Sequence, residues 1–222
     1  MKKIISIFVL AALVIGGTMN VSAQKRENDF SIQLGGLLPL HSFSASPAYC
    51  LPGTNNLGNT GAAMFGANLG FKYNHRFDIG LGVFASADLM WNALNKDIRT
   101  MYDNVSCTKP MYVNVPIFVG VSYISDFSDV VDVWAEAGVG ADLFFKTAEG
   151  WNNNLLKYDM NTAFASEVGV GVCFIDLISI GVHYYWLGNQ RVKVNGITYD
   201  ETYITPHKIK TGMLAFKLGF HF

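Results

Sequence analysis

Residues 77–92, with the sequence FDIGLGVFASADLMWN, decide the fold of this chain. Apolar side chains occupy every second position, and the positions between them hold mostly small or polar residues. The apolar positions are Ile79, Leu81, Val83, Ala85, Ala87, Leu89 and Trp91. Successive side chains of a β-strand point to opposite faces, so the stretch predicts a strand with one apolar face and one mostly polar face.

Seven further segments alternate in the same way, which gives eight predicted strands. They are 30–38, 62–73, 77–92, 111–123, 131–145, 161–174, 178–186 and 214–222. Each is about long enough to cross a bilayer when tilted, which takes about 9–11 residues. The even count and the repeated glycines on the inner face predict an all-β, eight-stranded, antiparallel transmembrane barrel of up-and-down topology.

The connections predict the orientation of this barrel. Residues 74–76, 124–130 and 175–177 are short, as periplasmic turns are, whereas residues 39–61, 93–110, 146–160 and 187–210 are long and polar, as extracellular loops are. Both chain termini would then lie in the periplasm. Asn195-Gly196 predicts a two-residue hairpin that joins extended seventh and eighth strands, and Pro116 predicts a bulge or a locally unpaired position.

Aromatic residues are placed as two girdles on these strands. Tyr73, Phe77, Tyr123 and Phe222 fall near one predicted rim, and Trp91, Phe145 and Trp186 fall near the other. Such girdles are typical of membrane barrels.

The N-terminus predicts export. Lys2 and Lys3 precede an apolar run at 4–16, and Val21-Ser22-Ala23 forms a cleavage pattern, so residues 1–23 are a predicted signal peptide and residues 24–222 the barrel. Cleavage removes two lysines and no acidic residue, which moves the formal charge from −1 to −3. A weakly acidic protein without a basic block predicts no nucleic-acid partner.

Three strand segments and the C-terminus resemble a known family. The segments are YVNVPIFV at 112–119, WAEAGVG at 134–140 and FASEVGVG at 164–171, and they resemble outer-membrane β-barrel domain proteins of the Bacteroidetes type, which are similar to OmpA- and OmpX-like small barrels. The closing LAFKLGFHF at 214–222 resembles their assembly signal, carried by Phe220 and Phe222. The resemblance implies an outer-membrane location, contact with lipid and lipopolysaccharide, and recognition by the barrel-assembly machinery.

The alternation turns eight ionisable side chains toward the barrel interior. They are Lys72, Asp88, Glu136, Asp142, Glu167, His183, Lys217 and His221. Such charges have to pair or stay hydrated, because a lone buried charge is very costly. One interpretation is an ion-pair network that fills the lumen. The other is a narrow hydrated path lined by Glu136, Glu167 and Lys217.

Other reactive residues give weaker signals. Cys50 and Cys107 fall in the first two predicted extracellular loops and form a possible disulfide, whereas Cys173 faces inward. No two of the five histidines have metal-ligand spacing, and no motif predicts a cofactor. His41, Ser44, Ser46 and His207 lie in predicted outer loops without a catalytic motif.

These observations predict a non-enzymatic integral outer-membrane protein. Its largely plugged barrel would anchor extracellular loops that contact surface ligands or partners. The alternative is a narrow pore or channel for small solutes or hydrophobic molecules. A soluble periplasmic barrel is the third hypothesis.

Overall fold

The computed structural model describes residues 27–47, 59–128, 130–151, 154–195 and 207–222, so the predicted signal peptide lies outside the described residues. Eight long strands form the body of the molecule: β1 Asn28–Leu40, β2 Ala63–Arg76, β3 Leu81–Leu94, β4 Met111–Ser128, β5 Val131–Lys146, β8 Asn161–Phe174, β9 Ile178–Val192 and β11 His207–His221. Smaller elements lie between them: helices α1 His41–Ser44 and α2 Lys96–Asn104, and short strands β6 Glu149–Trp151, β7 Asn154–Tyr158 and β10 Val194–Asn195.

The eight long strands close into one antiparallel barrel. Each pairs with the next long strand along the chain, and β11 pairs back onto β1, with Leu34 opposite Leu218. The predicted eight-stranded up-and-down architecture is confirmed.

The wall of the barrel follows the predicted alternation. Along β3, Leu81, Val83, Leu89 and Trp91 are exposed, whereas the even-numbered residues of the same strand are buried: Gly82, Phe84, Ser86, Asp88, Met90 and Asn92. The same apolar exposure continues around the outside, for example at Val119 (61%) and Val139 (52%). An apolar exterior around a partly polar interior is the reverse of the usual arrangement in a water-soluble protein.

The short connections mark one end of the barrel, here called the turn end. The first short connection lies at 77–80 rather than at the predicted 74–76, because β2 extends to Arg76 and Gly80 adopts a positive φ of 80°. Strand β4 likewise extends to Ser128 and shortens the predicted 124–130 turn. The third turn lies at 175–177, as predicted, with positive φ at Ile175 and Asp176.

Pro116 lies inside β4 and interrupts pairing on one side only. It stands opposite Asp142 of β5, whereas the ladder with β3 passes from Ala87–Ile117 to Met90–Asn114 without pairs between them. The register is the same on both sides of this gap. Proline has no N–H donor, so it creates the locally unpaired position that was one of the two predicted outcomes.

The long connections, at the opposite end, contain secondary structure and define the loop end. Helix α2 begins after Asn95, whose side chain accepts a hydrogen bond from the Ile98 N–H. Strands β10, β7 and β6 form a separate three-stranded sheet. Neither helix in the described part of the chain has the length and hydropathy of a membrane-spanning helix.

Strands β9 and β11 extend toward the loop end, as predicted, but the predicted turn between them is wrong. Val192 pairs with His207, and Val194–Asn195 pairs with β7 instead of starting a two-residue hairpin with β11. Gly196 lies outside the described residues.

Candidate functional site

Six of the eight predicted interior charges meet in the middle of the lumen. This polar band consists of Lys72, Asp88, Glu136, Glu167, His183 and Lys217. Lys72 is partly buried and the other five side chains are buried. Asp142 lies nearer the loop end, and His221 lies at the turn end.

One half of the polar band is built around Asp88 of β3. Lys217 Nζ lies 2.7 Å from Asp88 Oδ1 and also donates to Gln33 Oε1 at 3.0 Å. Asn68 donates to Asp88 Oδ1 at 2.7 Å, and Tyr185 donates to Asp88 Oδ2 at 3.3 Å. The carboxylate is therefore satisfied by one cation and two neutral donors, which compensates much of its desolvation.

The other half is centred on three neighbouring strands, β5, β8 and β9, and also includes contacts from β2 and β3. Glu136 of β5 forms an ion pair with Lys72, and its other oxygen, Oε1, lies 3.4 Å from His183 Nδ1. Glu167 of β8 accepts a hydrogen bond from Ser86 Oγ at 3.3 Å through Oε1, while its Oε2 lies 3.9 Å from His183 Nδ1. Glu136 and Glu167 thus each direct one oxygen toward the same imidazole.

Aromatic rings enclose the polar band. The His183 ring stacks on Tyr185, with centroids 5.8 Å apart and planes 7° apart, and Trp134 lies 5.4 Å away. Lys72 Nζ lies over the Phe84 ring at 4.9 Å. These contacts exclude water and fix the imidazole, so charges here interact more strongly than they would in solvent.

Apolar side chains fill the lumen on the loop-end side of the polar band. Phe43 of α1 packs edge-on against Tyr112 at 5.2 Å, and Tyr112 stacks with Phe144 at 5.9 Å. This apolar plug consists of Leu37, Phe43, Met90, Tyr112, Phe144 and Met213, all at most 1% exposed. Asp142 lies beside it, where Gln190 Nε2 donates to Asp142 Oδ2 at 2.7 Å.

The turn end holds a chain of three polar side chains and a small cavity. His221 Nδ1 lies 2.7 Å from Asp29 Oδ2, and His221 Nε2 lies 2.8 Å from Ser179 Oγ. Acid, imidazole and hydroxyl follow one another as in hydrolase triads. Ser179 is only 4% exposed, however. The adjoining cavity of about 50 Å³ is lined by Asp29, Arg76 and His221, among others, but not by Ser179. The three groups link β1, β11 and β9 where the barrel closes.

A second polar cluster lies at the loop end and consists of Tyr102, Lys146, Glu149 and Tyr158. Glu149 Oε2 accepts from Tyr102 OH at 2.8 Å and lies 3.4 Å from Lys146 Nζ, which donates to Tyr158 OH at 3.1 Å. Burial, with the charge of Glu149, raises the pKa of the Tyr158 phenol above its usual value. This loop-end cluster joins α2, β5, β6 and β7.

The remaining predicted residues lie apart from these clusters. Cys107 is buried near the loop end, whereas Cys50 lies outside the described residues, so their bridge stays a prediction. Among the outer-loop groups, His41 Nε2 lies 3.2 Å from Tyr184 OH, and Ser46 Oγ accepts from Asn95. Phe222 pairs with Phe30 through two backbone hydrogen bonds, and its proposed role in assembly also stays a prediction.

Several residues of the interior were not predicted as site residues. Gln33, Asn68 and Ser86 lie on inward positions of their strands, so the alternation that selected the charges also contains them. Phe43 could not be found in this way, because it enters the core from a short helix outside the strand pattern.

Two solved structures resemble the chain over most of its length. Neisserial surface protein A is 12% identical, with a TM-score of 0.50, and the match covers 89% of this chain and 98% of that one. The outer membrane protein OprG from Pseudomonas aeruginosa is 14% identical, with a TM-score of 0.52, and the match covers 90% and 98%. Neither a family model nor a curated protein sequence matches the chain.

Sequence identities this low support the fold alone. The resemblance to Bacteroidetes proteins in particular stays a prediction. The strand count, the closure of β11 on β1 and both solved structures agree. The chain has the fold of the small eight-stranded β-barrels of bacterial outer membranes.

Proposed function

We propose that this chain is a non-enzymatic integral protein of the outer membrane, with a plugged lumen and loops that contact surface ligands or partners. The observation that carries the proposal is the filling of the lumen at successive levels. Ion-paired side chains of the polar band occupy its middle, and the apolar plug occupies its loop-end side. An eight-stranded barrel has interior space for little besides side chains.

Planar-bilayer recording tests the plugged lumen. We expect purified, refolded protein to give no stable conductance steps at neutral pH. The competing pore would use the polar band, so its steps would disappear in Glu136→Ala or Lys217→Ala. Steady openings that either substitution abolishes would overturn the plugged barrel and favour the pore.

The apolar exterior supports insertion in a membrane, and cysteine labelling in intact cells tests both location and orientation. Two exposed sites at opposite ends serve as a matched pair: Thr100→Cys in α2 and Asp78→Cys in a short turn, each in a chain whose native cysteines are serine. We expect a membrane-impermeant maleimide to label position 100 and to spare position 78. The reverse pattern would contradict periplasmic termini, and extraction without detergent would contradict membrane insertion.

The absence of catalysis is also part of the proposal, and Ser179 is the residue by which to test it. Because its hydroxyl is buried behind His221, we expect no hydrolysis of short-chain esters or of phospholipid in detergent micelles. The matched control is Ser179→Ala. Hydrolysis by the native chain that this substitution abolishes would show a working acid–His–Ser arrangement and would overturn the non-enzymatic proposal.

A further inference from the structure

Three side chains of the polar band converge on one point. Glu136, Glu167 and His183 each offer a ligand atom within 4.8 Å of the others, and all three residues are buried. Two carboxylates and one imidazole form a donor set that Zn²⁺ and similar divalent transition metals accept. The spacing of residues along the sequence does not predict this set of three ligands, because they lie on three different strands, β5, β8 and β9.

The distances suit a four-coordinate ion. Ligand atoms about 2.0–2.1 Å from a tetrahedral zinc lie about 3.4 Å from one another. His183 Nδ1 lies 3.4 Å from Glu136 Oε1 and 3.9 Å from Glu167 Oε2. All three ligand atoms lie within 4.8 Å of one another, so the longer separations have to shorten for all three to enter the first coordination shell.

His183 supplies a second, independent observation. Its side chain is 1% exposed, yet neither ring nitrogen makes a hydrogen bond to any described residue. A buried polar atom without a hydrogen bond is costly, and a metal ion would satisfy Nδ1. The stacking of the ring on Tyr185 holds Nδ1 toward the two carboxylates.

The surroundings of the three ligands resemble the outer shell of a metal site. Lys72 holds the second oxygen of Glu136, and Ser86 donates to the second oxygen of Glu167. Groups of this kind orient coordinating carboxylates in metalloproteins.

Gly169 leaves the space in which the ligands meet. It lies between Glu136 and His183 in the register of the three strands. A Cβ at Gly169 would stand 2.7 Å from His183 Nδ1 and 3.2 Å from Glu136 Cγ. Any larger residue would therefore press on two of the three ligands.

The charges in the polar band leave one carboxylate without a lysine partner. Lys217 pairs with Asp88 and Lys72 pairs with Glu136, whereas the described contacts give Glu167 only Ser86 as donor and His183 as neighbouring base. A cation is therefore favoured beside Glu167 and His183. The competing occupant is a single proton on one of the three side chains.

We propose that Glu136, Glu167 and His183 bind one divalent transition-metal ion, with Zn²⁺ as the probe, inside the barrel. The ion joins three adjacent strands and stabilises the folded barrel. The site goes beyond the proposed function, since a plugged barrel without metal would pass the conductance and labelling tests equally well.

The test is zinc binding to full-length protein refolded in detergent with and without Zn²⁺, followed by removal of loosely bound ions. We expect about one zinc per chain by elemental analysis, a higher unfolding temperature, and a change in Trp134 fluorescence. Ca²⁺ should not substitute, because it prefers all-oxygen sites. A chain that folds but retains no zinc would overturn the proposal and leave the proton as the occupant.

Matched variants locate the ion. We expect His183→Gln and Glu167→Gln to weaken zinc binding by about 100-fold or more, since each removes a ligand. His221→Gln removes the other interior histidine and should leave binding unchanged. Equal zinc binding in all three variants would place the ion elsewhere and overturn the assignment. If the ligand variants do not fold, zinc anomalous scattering from crystals of the native chain decides, and density away from His183 would contradict the site.

Discussion

Individual residues carry backbone strain at the turn end. Ile175 and Asp176 have φ values of 52° and 51° in the turn between β8 and β9. Residues other than glycine rarely adopt this left-handed backbone region, and β-branched residues are the least suited to it. Asn and Gly, by contrast, fit the primed turns that join antiparallel strands. Isoleucine therefore occupies position 175 although the backbone conformation there is unfavourable for it.

Replacing this isoleucine should stabilise the barrel. We expect Ile175→Asn to raise the free energy of unfolding by about 1 kcal/mol, because asparagine tolerates positive φ. Urea unfolding in detergent micelles measures the change. Val130→Asn is the control, since Val130 is also an exposed turn residue but has no positive φ. An equal gain at both positions would show that backbone strain is not the cause.

Cys107 should titrate unusually for a thiol. Burial raises its pKa, and the nearby Glu149 carboxylate adds to the effect. The thiolate is the reactive form, so alkylation should require a higher pH than for an ordinary cysteine. The rate of Cys107 alkylation by iodoacetamide as a function of pH measures the pKa of the thiol. The chain used carries Cys50→Ser and Cys173→Ser, so that Cys107 is its one cysteine. The same chain in urea is the control, and a midpoint in the folded protein at or below that of the unfolded one would contradict the prediction.

At the scale of elements, the loop-end cluster determines how firmly α2 and the β6–β7 hairpin are held. The side chains of Lys146 and Glu149 are 1% and 0% exposed, so their attraction is little screened by water. Lys109 and Asp103 form an ion pair in the same region, but their side chains are 38% and 56% exposed. The two pairs should therefore differ greatly in their contribution to stability.

Removal of the buried carboxylate should loosen the loop end. We expect Glu149→Gln to cost about 3 kcal/mol locally, because Lys146 stays buried without the charge that faces it. Amide exchange in α2 and β6–β7 should accelerate by about 100-fold, as about 1.4 kcal/mol corresponds to a factor of ten. Lys109→Met is the control and should change exchange little. Equal effects from both substitutions would contradict the role given to burial.

At the scale of the whole molecule, the polar band joins strands from all sides of the barrel. Asp88 and Lys217 lie on β3 and β11, which do not pair with each other, so their ion pair crosses the lumen. A contact of this kind forms only when the barrel has closed. It should therefore contribute to the stability of the complete barrel rather than of one hairpin.

Removal of both partners should cost less than the two single removals added together. We expect Lys217→Met to destabilise the barrel by about 3 kcal/mol, since Asp88 would stay buried and negative. Asp88→Asn with Lys217→Met should lose less than the sum of the single changes, because the uncompensated charge is gone. Reversible urea unfolding of the four chains measures the coupling. Strict additivity would show that the two charges do not depend on each other.

The sequence by itself determined which residues face inward and which face outward. A strand has a period of two, so Leu81 and Asp88 could be assigned to opposite faces of β3 without knowledge of any neighbour. Strand number followed from the same pattern, and strand order followed from the tendency of consecutive strands to pair with each other.

Only the tertiary structure decided what each inward residue meets. Register across the barrel pairs Lys217 with Asp88 rather than with Glu136 or Glu167, and it places Glu136, Gly169 and His183 side by side on three strands. Local alternation contains no information on register between strands, on a side chain such as Phe43 that enters from a helix, or on distances across the lumen. Those depend on how the sheet closes, which is a property of the whole chain.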